Sequence, residues 1–132
     1  MPHKKDFDTW NEEKKRINES APKVFFHVRE VWWCKLGINV GFEQDGKSEK
    51  FSRPVVILKT YSVNAALVVP LTSKNKKGTY YFDLGKVGKR DAKAVLSQVR
   101  FIDKRRLIDK FDVINKELFE KLRSAIIQIN FT

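Results

Sequence analysis

Residues 29–59, REVWWCKLGINVGFEQDGKSEKFSRPVVILK, decide the reading of this chain. The run Val31-Trp32-Trp33 is β-branched and aromatic, which is strand composition. Alternation places Val31 and Trp33 on one face and Trp32 and Cys34 on the other. Gly37, Gly41 and Gly46 then mark a polar loop over 37–52. Pro54 opens a second strand, Val55-Val56-Ile57-Leu58; proline is tolerated at the first position of a strand because a missing ladder N–H costs little there. The segment holds Glu43 in the loop and Arg53 at the junction of loop and strand, where extended geometry aims a side chain firmly.

Working outward, 132 residues fit one domain with a modest core. Apolar residues make up 42% and aromatics 12%, so the chain folds instead of staying disordered. A net charge of +11 creates a field that concentrates polyanions, nucleic acid first and an acidic protein second. The lysines are spread along the chain and not along one helix face, which disfavours a membrane surface. The bland alternative is a basic surface that only keeps the protein in solution. The one cysteine, Cys34, excludes an internal disulfide and reads as a small buried apolar residue. Two histidines, His3 and His27, give neither a thiol partner nor a metal-ligand cluster, so no metal and no cofactor is expected. The N-terminus has no apolar run of the signal-peptide kind, and no segment approaches the roughly 18 apolar residues of a membrane span, so the expected location is cytoplasmic.

Residues 4–20 have helical spacing at Phe7, Trp10, Lys14 and Ile17, with Asp6 as the cap and Ser20-Ala21-Pro22 as the stop. The stripe is thin, so this helix needs something to pack on. It forms an N-terminal extension, residues 1–23, ahead of a domain over 24–132. Strand composition runs from Val24 to Leu36. After the second strand, Ala65 to Leu71 is a third, with Thr72 just past its end. Lys74-Asn75-Lys76-Lys77-Gly78 reads as a basic hairpin tip, Thr79 to Leu84 as a fourth strand, and residues 85–93 as another basic loop. Ala94 to Ile102 reads as a fifth strand with Leu96, Gln98 and Arg100 on one face. Asp103 caps a single turn, and Asn115 caps a closing helix over 116–129 with a stripe at Leu118, Leu122, Ala125, Ile126 and Ile129. Helix, about five short strands and helix predict a mainly β fold, a small, strongly curved antiparallel barrel with peripheral helices.

The candidate constellation is Glu43, Arg53, Thr72, Gln98 and Arg100, with Lys74, Lys76 and Lys77 as phosphate contacts. The glycines lack P-loop spacing. RNA carries its own nucleophile, the ribose 2′-OH. A protein therefore needs only a base, an acid and a cation near the phosphorane charge to cut it. A carboxylate serves as base. Arginine is a poor acid but binds phosphate oxygens bidentately. A threonine hydroxyl can hold a non-bridging oxygen. Each residue also has a plainer reading: Glu43 and Arg53 as an exposed ion pair, Thr72 as a turn residue, Gln98 and Arg100 as a solvated strand face, and the lysines as a solvated tip. The residues alone lead to a basic β-rich domain that binds or cuts RNA.

Three blocks then resemble the PemK/MazF family of toxins from type II toxin–antitoxin systems. The first is Glu30-Val31-Trp32-Trp33, Gly41-Phe42-Glu43-Gln44 and Arg53-Pro54-Val55-Val56-Ile57-Leu58. The second is Pro70-Leu71-Thr72, and the third, the most specific, is the run LSQVRFIDKRRL at 96–107. The resemblance covers about residues 29–129. It implies an SH3-like barrel acting as a homodimeric, metal-independent, sequence-specific endoribonuclease (an mRNA interferase) on single-stranded RNA, leaving a 2′,3′-cyclic phosphate and a 5′-OH. It implies Arg53 and Thr72 as catalytic, Glu43 as the assisting base, and Gln98 as an RNA contact. It also implies a cognate antitoxin with an acidic tail as partner. A barrel of this class can instead bind a protein such as gyrase, as a related toxin family does, or act as a plain nucleic-acid-binding module. Departures from the family pattern are the long stretch between Glu43 and Arg53, Ser97 where many members carry Glu, and Arg29 where many carry Gly.

Overall fold

A computed structural model describes residues 6–19, 24–37, 52–75 and 77–132. The elements are α1 (Phe7–Glu19), β1 (Glu30–Lys35), β2 (Ser52–Tyr61), β3 (Ala65–Thr72), β4 (Tyr81–Val87), β5 (Arg90–Val95), β6 (Arg100–Asp103), β7 (Leu107–Val113) and α2 (Lys116–Phe131). All strand pairs are antiparallel, in the order β4-β5-β3-β2-β1-β7, with β6 also on β3. The mainly β, two-helix class read from the sequence is the class observed.

Alternation builds two cores on the two faces of the central strands. Trp32, Cys34, Val55, Ile57, Ala66 and Val68 face one core, closed by Ile102 and Leu107. Val31, Val56, Val69 and Leu71 face the other, completed by Leu84, Val87, Ala92 and Ala94 and by Phe119, Leu122 and Ile126 of α2. Each fully buried residue of this size contributes about 1.5–3 kcal/mol. A one-residue slip in β1 or β2 would exchange the two cores, so the register is strongly specified.

The strand count differs from the expected five. The run 94–102 is not one strand: β5 ends at Val95, a 3₁₀ turn occupies Leu96–Gln98, and β6 begins at Arg100. The break lets β3 use one edge twice. Its C-terminal end pairs with β5 (Leu71 with Ala94, Thr72 with Lys93), and its N-terminal half pairs with β6 (Ala65 with Asp103 through Val68 with Arg100). The shared strand face assigned to Leu96, Gln98 and Arg100 therefore does not exist. The supposed loop 85–93 is a tight hairpin with Val87 opposite Arg90. Its first turn residue, Gly88, has φ +63°, a region that L side chains avoid. The Gly88 N–H donates to Asp112 Oδ2 of β7 at 2.6 Å, so the two ends of the strand order meet and the sheet curls back on itself.

Residues 24–27 lie outside β1, and Val28-Arg29 form a turn. Arg29 has φ +77°. A side chain there costs roughly 1–2 kcal/mol, a strain that a glycine would avoid. Here the Arg29 guanidinium compensates by donating to the Ile114 carbonyl at 3.1 Å. Both helix caps occur as read. Asp6 Oδ1 accepts the Thr9 N–H at 3.0 Å, and Asn115 Oδ1 accepts the Leu118 N–H at 2.8 Å. Asp103 Oδ1 likewise accepts the Arg105 N–H at 2.8 Å.

Helix α1 packs on its own domain. Trp10 is its buried anchor, at 4% exposure, lying against Gly37 and under the Arg106 guanidinium, 5.6 Å from its centroid. Arg105 donates to the Asn18 carbonyl at 2.8 Å, and Lys35 pairs with Glu13. No helix among the described residues is long and apolar enough to cross a membrane.

Candidate active site

A groove of about 780 Å³ crosses the ends of β2 and β3. Consecutive residues line it, Ser52-Arg53-Pro54 from β2 and Leu71-Thr72-Ser73 from β3, so both faces of the ladder contribute. The β4–β5 turn adds Gly88 and Lys89, β5 adds Arg90, and β7 adds Asp109 and Phe111.

Arg53 is only 5% exposed, and the β1–β2 register sets it opposite Cys34. Its Nη1 donates to the Leu71 carbonyl at 3.1 Å. That bond ties the guanidinium to the strand that ends at Thr72 and fixes its plane. Thr72 is 6% exposed, and its Oγ1 accepts the Lys74 N–H at 3.2 Å. A hydroxyl that accepts there keeps its own O–H to donate to an anionic oxygen. The two residues, 19 positions apart in sequence, thus meet in one groove.

The other sequence candidates divide. Glu43 and Lys76 lie outside the described residues. Lys74 and Lys77 are exposed beyond Thr72, and neither lines the groove. Gln98 lies in the 3₁₀ turn, and Arg100 in β6. Neither lines the groove within this chain. Arg100 instead lies near Arg106, where its charge acts with burial to lower the Arg106 pKa. Cys34 is fully buried, and burial pushes its thiol up to about 12. It is therefore no nucleophile. Among the described residues no cluster of His, Cys, Asp and Glu could hold a metal ion.

Sequence reasoning missed Trp33, Lys89, Arg90 and Phe111 as groove residues. The signal for Lys89 and Arg90 was present: Val87-Gly88-Lys89-Arg90 is a two-residue hairpin turn around a glycine. Trp33 was assigned to the correct face, but nothing local to the sequence identifies that face as a groove.

Comparison with known proteins bears on the family and the fold. Residues 27–130 match the family described as PemK-like, MazF-like toxin of type II toxin-antitoxin system. Endoribonuclease EndoA of Bacillus subtilis (strain 168) is 30% identical over 106 residues, spanning 74% of this chain and 87% of that protein. Among solved structures, MazF from Deinococcus radiodurans superposes with a TM-score of 0.68 at 17% identity, covering 81% of this chain and 97% of that one. A mycobacterial endoribonuclease in complex with its cognate antitoxin gives 0.60 at 14% identity, covering 80% and 95%. At these identities the structural matches speak for the fold, and the family match and the 30% relative speak for descent. The chain belongs to the PemK-like, MazF-like toxin family of type II toxin–antitoxin systems.

Proposed function

We propose that this protein is an endoribonuclease that cuts single-stranded RNA without a metal ion. The 2′-oxygen attacks the adjacent phosphorus and its proton passes to a carboxylate. The bond to the 5′-oxygen then breaks, that oxygen takes up a proton, and the products carry a 2′,3′-cyclic phosphate and a 5′-OH. Arg53 neutralises the charge that builds on the phosphorane, and the Thr72 hydroxyl donates to a non-bridging oxygen. Glu43 is the carboxylate base in this reading. Gln98, Arg100, Lys74 and Lys77 contact RNA outside the groove of their own protomer, across a homodimer, and Lys76 is a further RNA contact in this reading. The toxin acts in the cytoplasm and is neutralised by an antitoxin whose acidic tail answers the +11 charge. Residues 1–23 are an added helical segment on a toxin domain over 24–132.

The observation that carries the reading is the Arg53–Leu71 hydrogen bond, which holds a buried cation beside Thr72 in an open groove. A buried arginine at a groove is preorganised for an anion, and preorganised charge is the largest single contribution in most acyl- and phosphoryl-type transition states. The test is incubation of long single-stranded RNA with the protein in EDTA, followed by end analysis. Cyclic-phosphate fragments from the wild type, lost by 10²-fold or more in Arg53→Ala with an unchanged circular dichroism spectrum, are expected. Equal cleavage by Arg53→Ala would remove Arg53 from the mechanism.

A further inference from the structure

We infer that Trp33, backed by Phe111, is a stacking platform for one unpaired nucleobase next to the cut, an inference that rests on the RNA-cleaving reading above. Trp33 is 39% exposed, a large value for a tryptophan on a central strand. Its ring stacks on Phe111 of β7, with centroids 5.4 Å apart and planes 27° from parallel. Phe111 is held in turn from behind. A Cβ at Gly88 would come within 3.2 Å of its ring, and the Gly88 N–H to Asp112 bond pins the hairpin turn to β7 beside it. Turn, phenylalanine and tryptophan therefore form a rigid stack of three, set before any ligand arrives.

The placement selects the occupant. Trp33 pairs with Pro54, the residue after Arg53, and both rings line the groove that holds Arg53 and Thr72. Lys89, which follows Gly88 in the turn, and Arg90, which opens β5, line the same groove. An aromatic face in a groove that also holds three cations suits a nucleotide, with the base on the ring and the phosphates on Arg53, Lys89 and Arg90. A purely apolar partner would match the ring but not the exposed, cationic Lys89 and Arg90 that line the same groove. The volume of about 780 Å³ lies within the range that encloses small organic ligands. A base stacked there is anchored on the protein, which orients its ribose for in-line attack.

The test uses an RNA oligonucleotide carrying the cut site found by sequencing the 5′ ends of cleaved RNA. Abasic nucleotides are placed singly on either side of the cut, and KM and kcat are measured for wild type, Trp33→Phe, Trp33→Ala and Phe111→Ala. One abasic position is expected to raise the wild-type KM by about 5- to 100-fold, the range of one base–aromatic stack. Trp33→Ala should show that loss with intact RNA and less than about 2-fold more with the abasic one, while Trp33→Phe keeps most of the binding. Equal KM for wild type and Trp33→Ala, or abasic losses unchanged by the variant, would overturn the platform. So would a variant that changes only the mass in sedimentation, which would make the pair a contact between copies of the chain. If the wild type cuts no RNA, the cleavage reading fails instead. The platform is then judged with a single-stranded deoxyoligonucleotide of mixed sequence, which needs no known cut site and lacks the attacking hydroxyl. Its quenching of tryptophan fluorescence should be lost in Trp33→Phe, and quenching that survives would overturn it.

Discussion

Gly37→Ala would test how α1 is held. Gly37 follows β1 with φ +76°, and an added Cβ would lie 1.9 Å from Cε2 of Trp10. Two costs follow. The left-handed backbone costs an alanine about 1–2 kcal/mol, partly offset by the ~0.4–1 kcal/mol that alanine removes from the unfolded chain. The second is larger. At 1.9 Å the ring must leave, since no adjustment of a few tenths of an ångström suffices. Losing a buried tryptophan costs about 3–5 kcal/mol when complete. We expect Gly37→Ala to lose about 3–5 kcal/mol in urea unfolding, with Trp10 emission shifted to the red. In a Trp10→Ala background the same change should cost about 1 kcal/mol or less, because only the backbone strain remains. The difference, a coupling of at least about 2 kcal/mol, is the quantity to measure. Equal losses in the two backgrounds would refute the reasoning, because the ring would then not be what the glycine accommodates.

Two further outcomes follow from titratable groups. With its pKa near 12, the Cys34 thiol should stay unmodified by a thiol-specific disulfide reagent at pH 8 and react fully in denaturant; reaction with the native protein at the rate of a free thiol would contradict its burial. Glu30 is pushed up by burial, but hydrogen bonds from the Trp32 indole at 3.0 Å, the His27 N–H at 2.8 Å and Lys110 outweigh it and hold its pKa below the ordinary 4.5. A depressed folded value means its contribution is whole above pH 4.5 and disappears as pH falls through the folded value. Glu30→Gln should therefore lose about 1–3 kcal/mol at pH 7, with a deficit that shrinks below pH 4.5; a deficit independent of pH would show that its charge is not what these donors hold.

The sequence disclosed those parts of the fold whose signals are local. Helix α2 had an amphipathic stripe and an asparagine cap, and both are found. The apolar run after Pro54 located β2, although the strand begins two residues earlier, at Ser52, so Arg53 lies within the ladder and not at its junction with the loop; the strand ending at Thr72 was visible as a strand. The break at Leu96–Gln98 was not visible. Residues 95–101 alternate well enough for one strand, contain no glycine or proline, and turn only because β3 has room for β5 along one half of its edge and β6 along the other. That cause lies about 30 residues upstream. The hairpin at Gly88 was misread for the opposite reason: its glycines and cations look like a loop when the partner strand is not considered. The site was half legible. Arg53 and Thr72 stood out by type and position, and their meeting through the Leu71 carbonyl follows from register. Trp33 and Phe111 are 78 residues apart, and only the pairing of β1 with β7 brings them together, as only the curl of the sheet brings the Gly88 turn beside them.

That curl has a consequence for how such a toxin changes over generations. Lys89 and Arg90 are exposed, and the Gly88 N–H holds their turn against Asp112 through the main chain. The anchor is therefore independent of which side chains follow the glycine. Mutation can exchange residues 89 and 90 without unseating the turn, and each exchange presents different chemistry to whatever enters the groove. The ring closure works as a fixed holder whose two cationic positions can be exchanged at little cost to the stability of the turn.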